Sequence, residues 1–194
     1  INFVDKYLGE FLDALDKSKY ADNTIIVLWG DHGWHLGEKQ HWRKMALWEN
    51  STRTPLIIYH PNKIKNNTVI NTPISFIDIY PTLIDLCGLP PKKNGLDGKS
   101  FFQLLKNPSL NWDKPVLMTF GQGNHAVRTS RWRYIQYYDG TNELYDHYND
   151  PHEWVNLSGN NNYIKIIEEL KKHIPKKEKA QSISHNNKPS ELIR

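Results

Sequence analysis

The stretch Thr24-Ile-Ile-Val-Leu-Trp-Gly-Asp-His-Gly33 decides how the rest of the chain is read. Its first six residues form a continuous apolar run rich in β-branched side chains, preceded by the turn pair Asp22-Asn23. That is the pattern of a strand buried on both faces. In an ideal strand, neighbouring side chains point to opposite faces, so Asp31 and His32 can address one ligand only where the strand has ended. The flanking Gly30 and Gly33 permit that departure. A carboxylate beside an imidazole then suits part of a divalent-cation site, with the oxygen ligands of a hard cation such as Ca2+ completed from elsewhere. Taken alone, the tripeptide reads more readily as an ordinary turn.

Upstream, Val4, Leu8, Phe11, Leu12 and Leu15 lay one stripe along a helix from Phe3 to Leu15. Downstream, Pro55-Leu-Ile-Ile-Tyr59 reads as a second buried strand. Asp78 to Leu86 reads as a helix with Asp78 placed to cap it and Gly88 to end it. Helix followed by buried strand points to a parallel α/β sheet. The connection from Gly30 to Thr54 is long and rich in His, Trp, Lys and Arg. Such connections are usually functional, and this one leaves a strand at its carboxyl end, where ligands of open parallel sheets gather.

Pro90 to Gly95 reads as a loop, and Phe101 to Leu105 as a short helix before the Asn107-Pro108 break. Beyond Pro115 the pattern changes. Val116 to Phe120, Ala126 to Thr129, Trp132 to Tyr138 and Glu143 to Asp146 are short alternating segments, with Asp139-Gly140 as a hairpin turn, so a small antiparallel sheet is predicted. Ile164, Ile167, Leu170 and Ile174 mark a last amphipathic helix. The expected division is an α/β portion over 1–114, a sheet-and-helix subdomain over 115–175 and a polar tail over 176–194.

The 194 residues carry a formal charge of +4, with Lys171, Lys172, Lys176, Lys177 and Lys179 gathered near the C-terminus. With no nucleic-acid module beside it, this charge reads as a solvated tail rather than a nucleic-acid surface. No apolar run approaches the roughly 20 residues of a membrane span. The single cysteine, Cys87, excludes an intrachain disulfide and reads as a small buried thiol at a helix end. The chain starts at Ile1 inside a helical pattern with no initiator Met, so a preceding segment is expected.

The sequence Gly30-Asp-His-Gly-Trp-His-Leu-Gly-Glu-Lys-Gln-His-Trp-Arg-Lys-Met-Ala-Leu-Trp-Glu-Asn-Ser-Thr-Arg-Thr-Pro-Leu-Ile-Ile58 resembles the C-terminal signature of type I sulfatases of the alkaline phosphatase superfamily. The branch it most resembles includes iduronate-2-sulfatase and bacterial polysaccharide sulfatases. Phe76-Ile-Asp-Ile-Tyr-Pro-Thr-Leu-Ile-Asp-Leu-Cys-Gly88, Leu96-Asp-Gly-Lys-Ser100, Ala126-Val-Arg-Thr-Ser-Arg-Trp-Arg-Tyr-Ile135 and Glu143-Leu-Tyr-Asp-His-Tyr-Asn-Asp-Pro-His-Glu-Trp-Val-Asn-Leu157 continue the likeness. The fold it implies is the C-terminal part of a mixed-sheet α/β sandwich plus a small antiparallel-sheet and helix subdomain.

The resemblance further implies Asp31 and His32 as Ca2+ ligands and Lys44 as the cation that binds the sulfate group. Trp34, His35 and His41 share their loop; Trp34 and His35 are candidate substrate contacts, as are Asn124 and His125 in the turn Gly121-Gln-Gly-Asn-His125. Arg53 is expected to brace the loop through an ion pair with Glu49. The family's nucleophile is a formylglycine made from a Cys/Ser-x-Pro-x-Arg motif, which this sequence does not contain; Cys87 lacks the following Arg. The implied enzyme hydrolyses sulfate esters of a sulfated carbohydrate, with the nucleophile and the remaining metal ligands in an N-terminal half of the same protein. The 194 residues alone are then expected to be inactive. Members of the family are periplasmic, secreted or lysosomal. The competing readings are a phosphodiesterase or phosphonate hydrolase of the same superfamily, and a noncatalytic sulfatase-derived fragment.

Overall fold

The computed structural model describes residues 1–65, 67–90, 95–112 and 114–177. They divide into two compact units: Ile1–Gly33, Arg53–Asn71 and Ser75–Trp112 in the first, and Trp34–Thr52, Thr72–Ile74 and the described part of Asp113–Arg194 in the second. The loop 34–52, read from sequence as part of the 1–114 portion, thus clusters with the C-terminal sheet. Residues 91–94 of the expected loop, and the tail beyond residue 177, lie outside the described residues.

In the first unit, helix α1 (Asn2–Asp16) precedes strand β1 (Ile26–Trp29), which pairs with β4 (Leu56–Tyr59). Two expectations are corrected here. The pair is antiparallel, with Trp29 opposite Leu56 and Gly30 N donating to Pro55 O at 3.1 Å. The strands are also not buried on both faces: within this chain they form a two-stranded ribbon, leaving Trp29 and Ile57 exposed. A continuous apolar run does not encode strand direction, which here is set by the way the long loop returns the chain.

Helix α3 (Ile79–Cys87) stops at Gly88 as predicted, but the Asp78 side chain does not cap it: Asp78 ends a 3-10 turn (Phe76–Asp78) whose N-cap is Ser75. The buried Asp78 carboxylate accepts from Ser75 N at 3.1 Å in a capping box and from Lys99 N at 2.8 Å, and Gly88 ends the helix at φ 66°. Lys99 can come this close because a Cβ on the preceding Gly98 would overlap the Ile77 carbonyl, so only glycine fits. Thr82 Oγ1 accepts from Phe101 N at 3.0 Å and sets the start of α4 (Phe102–Lys106) against α3. Cys87, expected buried, is exposed at the last helical position, because the buried face of α3 runs through Ile79, Thr82 and Leu86.

In the second unit, β5 (Val116–Thr119), β6 (His125–Arg128), β7 (Trp132–Gln136) and β8 (Asn142–Asp146) form a four-stranded antiparallel sheet in sequential order, close to the predicted segments. The β7–β8 turn is closed by Tyr137 N to Thr141 O at 3.0 Å, and Asp139 accepts from Thr141 N. Alternation sends Val127, Tyr134 and Leu144 to one face, where they bury against Ile167 and Leu170 of α5 (Ile164–Lys171). Ala126, Ile135 and Tyr145 cover the other face and pack with Leu47 and Trp48 of the loop.

That second face also carries Arg133, 1% exposed. Its guanidinium donates to Leu47 O at 2.7 Å and to Glu49, the first residue of the short helix α2 (Glu49–Thr52). Its Nε lies 2.6 Å from Glu153 Oε1, a close ion pair that lacks hydrogen-bond geometry. Glu153 Oε2 accepts from Glu49 N at 2.9 Å, His147 Nε2 lies 2.9 Å from Glu153 Oε1, and Arg128 Nε donates to Glu49 at 3.2 Å. The expected Arg53–Glu49 brace is therefore replaced: Glu49 is held by Arg128 and Arg133, and Arg53 is exposed.

Burial by itself would raise the Glu49 carboxyl, but Arg133 and Arg128 outweigh it and hold it at about 2. Burial likewise opposes ionisation of Glu153, and Arg133 and His147 bring it below the usual carboxylate range. Removing one member of such a network leaves buried charges uncompensated, so Arg133→Ala is expected to cost about 3–5 kcal/mol, read as a fall in the denaturant midpoint. Both carboxyls titrate lower folded than unfolded. Their contribution is complete above about pH 5 and is lost as pH falls towards about 2, on the order of 3 kcal/mol for Glu49. Unfolding titrations across that window should show stability falling on acidification, and Glu49→Gln should flatten the slope.

Candidate functional site

Where β1 ends, the chain turns away from the ladder and presents Asp31, exposed, and His32, partly buried. His32 Nδ1 lies 2.8 Å from Gly33 O. A carbonyl only accepts, so Nδ1 carries the proton and Nε2 is left facing Asp31 Oδ2 at 3.2 Å. An imidazole held at one nitrogen by a backbone carbonyl, with the other directed at a carboxylate oxygen, has the orientation of a metal-binding histidine. The pair fits two donors of a divalent-cation site. A hard cation such as Ca2+ takes six to eight ligands, so the rest must come from outside the pair.

Glu49, His147 and Glu153 also bring metal-type ligand atoms within 4.8 Å of one another. Arg128 and Arg133 already match their charge, and a dication there would face two guanidinium groups. This cluster is structural.

Lys44 leaves a strained hairpin. Strands β2 (His35–Leu36) and β3 (Trp42–Arg43) pair with His35 opposite Arg43, and Lys39, Gln40 and Arg43 all take positive φ, at 55°, 58° and 83°. Non-glycine residues in this region cost free energy and concentrate at functional sites. Lys44 follows directly, exposed, with its carbonyl accepting from Ala46 N at 2.9 Å. Trp34 is half exposed, whereas His35 is 1% exposed and neither of its ring nitrogens makes a well-formed hydrogen bond, although the Glu38 backbone stands close enough to favour its protonation. The His35 ring stands edge-on to His41 at 5.1 Å and to Trp48 at 5.8 Å. Burial lowers its pKa, and the neighbouring His41 adds to the effect. The expected substrate contact of His35 thus falls on a ring that this unit itself encloses.

Asn124 and His125 are buried as well. Asn124 Oδ1 accepts from Tyr138 N at 3.2 Å, its Nδ2 donates to Gln122 O at 3.1 Å, and its carbonyl accepts from Phe120 N at 3.0 Å. His125 Nδ1 and Thr119 Oγ1 are 2.9 Å apart. Both side chains fix the β5–β6 turn. Of the residues singled out from sequence, Asp31 and His32 sit in the first unit and Trp34, His35, Lys44, Asn124 and His125 in the second.

Sequence reasoning missed Lys39. Its Nζ donates to Tyr145 Oη at 3.0 Å and lies 4.5 Å from the Tyr145 ring and 5.0 Å from the Trp48 ring. Trp48 Nε1 in turn donates to Glu143 Oε2 at 2.7 Å, which also accepts from Tyr145 Oη at 2.7 Å. Nothing local in the loop signals partners about a hundred residues away.

The family model for the C-terminal region of N-sulphoglucosamine sulphohydrolase matches residues 37–180. A protein named sulfatase from Formosa agariphila is 46% identical over 177 residues, covering 91% of this chain and 34% of the relative. Arylsulfatase K of Canis lupus familiaris is 34% identical, covering 80% and 31%. The chain therefore spans about a third of the length of the curated relatives it matches. Among solved structures, BT4656 in complex with its substrate D-glucosamine-2-N,6-O-disulfate superposes with a TM-score of 0.74 at 30% identity, covering 87% of this chain and 37% of that one. A phosphonate monoester hydrolase from Silicibacter pomeroyi superposes with a TM-score of 0.74 at 26% identity, covering 87% and 37%. The α/β arrangement with its small antiparallel sheet is that of the C-terminal region of these enzymes. By sequence family and by fold, the chain belongs to the sulfatases, within their N-sulphoglucosamine sulphohydrolase C-terminal family.

Proposed function

We propose that this chain supplies a cation-binding pair, Asp31 and His32, and a sulfate-binding lysine, Lys44, to a sulfuric ester hydrolase acting on a sulfated carbohydrate. The formylglycine nucleophile and the remaining Ca2+ ligands come from protein outside these residues. The observation that carries the reading is the Asp31–His32 pair, fixed by Gly33 with Oδ2 and Nε2 3.2 Å apart, in a chain of a sulfatase family. Ca2+ bound there would act as a Lewis acid on the sulfate oxygens.

The chain's own residues have separable tasks. Asp31 gives an anionic oxygen and His32 a neutral nitrogen to the cation. Lys44, a compact charge with three donors, binds a sulfate oxygen and offsets the negative charge that grows as the ester bond breaks. Trp34 offers an exposed ring to the sugar. Asn124 and His125 shape the substrate side through the turn they fix rather than through free polar atoms. The sulfated sugar is carried over from BT4656, whose substrate in its complex is a glucosamine disulfate. The phosphonate monoester hydrolase, with the same TM-score, supports a second reading in which the same residues serve a phosphonate ester.

The test is steady-state kinetics of the complete protein on an aryl sulfate, a sulfated monosaccharide and an aryl phosphonate. Chelation should abolish sulfate hydrolysis and Ca2+ should restore it. Lys44→Ala is expected to lower kcat/KM by about 10²–10³-fold, the scale of losing one donor to a developing oxyanion. Asp31→Asn should shift the Ca2+ dependence to higher concentration. Preference for the phosphonate, or a chelator-insensitive rate, would refute the sulfatase reading.

A further inference from the structure

His35 is a buried imidazole to which the proposed chemistry gives no role. It is 1% exposed, and apart from the Glu38 backbone beside it neither of its ring nitrogens makes a well-formed hydrogen bond, nor does Nε2 of the adjacent His41. Leaving a buried polar group poorly satisfied is destabilising, so a histidine at this place is not explained by its polar atoms. What His35 does make is ring contact. Its ring and that of His41 meet nearly perpendicular at 86°, and both stand edge-on to Trp48, each at 5.8 Å. Edge-to-face ring pairs at these separations are attractive beyond the area they bury.

The placement of this three-ring cluster matters more than its energy. His35 lies on β2 opposite Arg43 of β3, and Lys44 is the next residue after Arg43. His41 closes the same hairpin through its carbonyl, which accepts from Gly37 N at 3.1 Å. Trp48 is tied to the sheet by its bond to Glu143, and Lys39 spans the Trp48 and Tyr145 rings. The hairpin holds three non-glycine residues at positive φ, one of them Arg43, and such a backbone persists only when its surroundings over-determine it.

We propose that His35 is a positioning residue: its ring, packed with His41 and Trp48, holds the β2–β3 hairpin in the strained form that aims Lys44, and it makes no polar contact with substrate. This inference rests on the assignment of Lys44 to the sulfate group. It differs from that assignment in naming shape, rather than hydrogen bonding, as what position 35 supplies.

The experiment compares His35→Phe and His35→Ala in the complete protein, with kcat, KM and thermal midpoint measured for each on the same aryl sulfate. His35→Phe keeps an aromatic ring and removes only poorly satisfied nitrogens, so its kcat and KM should stay within about threefold of the parent, with an equal or higher thermal midpoint. His35→Ala should lose at least tenfold in kcat with KM changed far less, because a misplaced Lys44 weakens transition-state charge stabilisation more than ground-state binding. A substrate-contact role would instead raise KM in both variants. A purely structural role would lower the thermal midpoint of His35→Ala without changing kcat per folded molecule. Either result overturns the proposal. If Lys44→Ala retains full activity, the failure belongs to the assignment of Lys44. A fully active Lys44→Ala alongside an impaired His35→Ala would identify that case. If His35→Ala does not fold, a KM rise in His35→Phe still refutes the positioning role.

Discussion

One buried guanidinium organises the second unit. Arg133 lies on the face of the four-stranded sheet away from α5, and its charge must be met where it stands, because an uncompensated buried cation costs several kcal/mol. It is met by Glu49 and Glu153, and its remaining donor capacity goes to the carbonyl of Leu47. All three partners belong to segments with little regular structure of their own. The loop 34–52 therefore has a fixed end on the sheet, and the β2–β3 hairpin that carries Lys44 is built from that end. Leu47 and Trp48 pack on Ala126, Ile135 and Tyr145 beside the charges, so the attachment is apolar as well as ionic.

A loop anchored in this way can carry strain. Positive φ at Lys39, Gln40 and Arg43 would relax in a free hairpin, yet here the backbone is held by ring contacts at His35, His41 and Trp48 and by Lys39 against Tyr145. The first unit follows a simpler logic. There the buried Asp78 carboxylate ties the start of α3 to the backbone at Lys99, and the Asp31–His32 pair projects where the β1–β4 ladder stops. The Asp31–His32 pair proposed to hold the cation thus lies in the first unit, and Lys44, proposed to bind the sulfate, in the second.

Much of this was legible in the sequence wherever the signal was local. Period-two alternation located all four strands of the C-terminal sheet, and Gly88 marked the end of α3, because capping chemistry acts within a few residues. The glycines around Asp31 and His32 announced the departure that brings the two side chains to one place. What escaped was set by distant partners. Glu49 looked towards Arg53, four positions away, but its partners are 79 and 84 positions off at Arg128 and Arg133. The direction of β4, the exposure of Cys87 and the enclosure of His35 each depend on what packs alongside, which no local pattern records. Asn124 and His125 were singled out for a Gly-rich turn, and their side chains are what close it.

The most direct measurement is a crystal structure of the complete protein with Ca2+ and a slowly hydrolysed sulfated sugar. The account expects a cation with Asp31 Oδ and His32 Nε2 both in its coordination shell, the carboxylate oxygen at about 2.3–2.6 Å. It also expects Lys44 Nζ within hydrogen-bonding distance of a sulfate oxygen, and the His35 ring packed behind the hairpin without touching the sugar. A cation bound elsewhere, or Lys44 directed away from the sulfate, would contradict it.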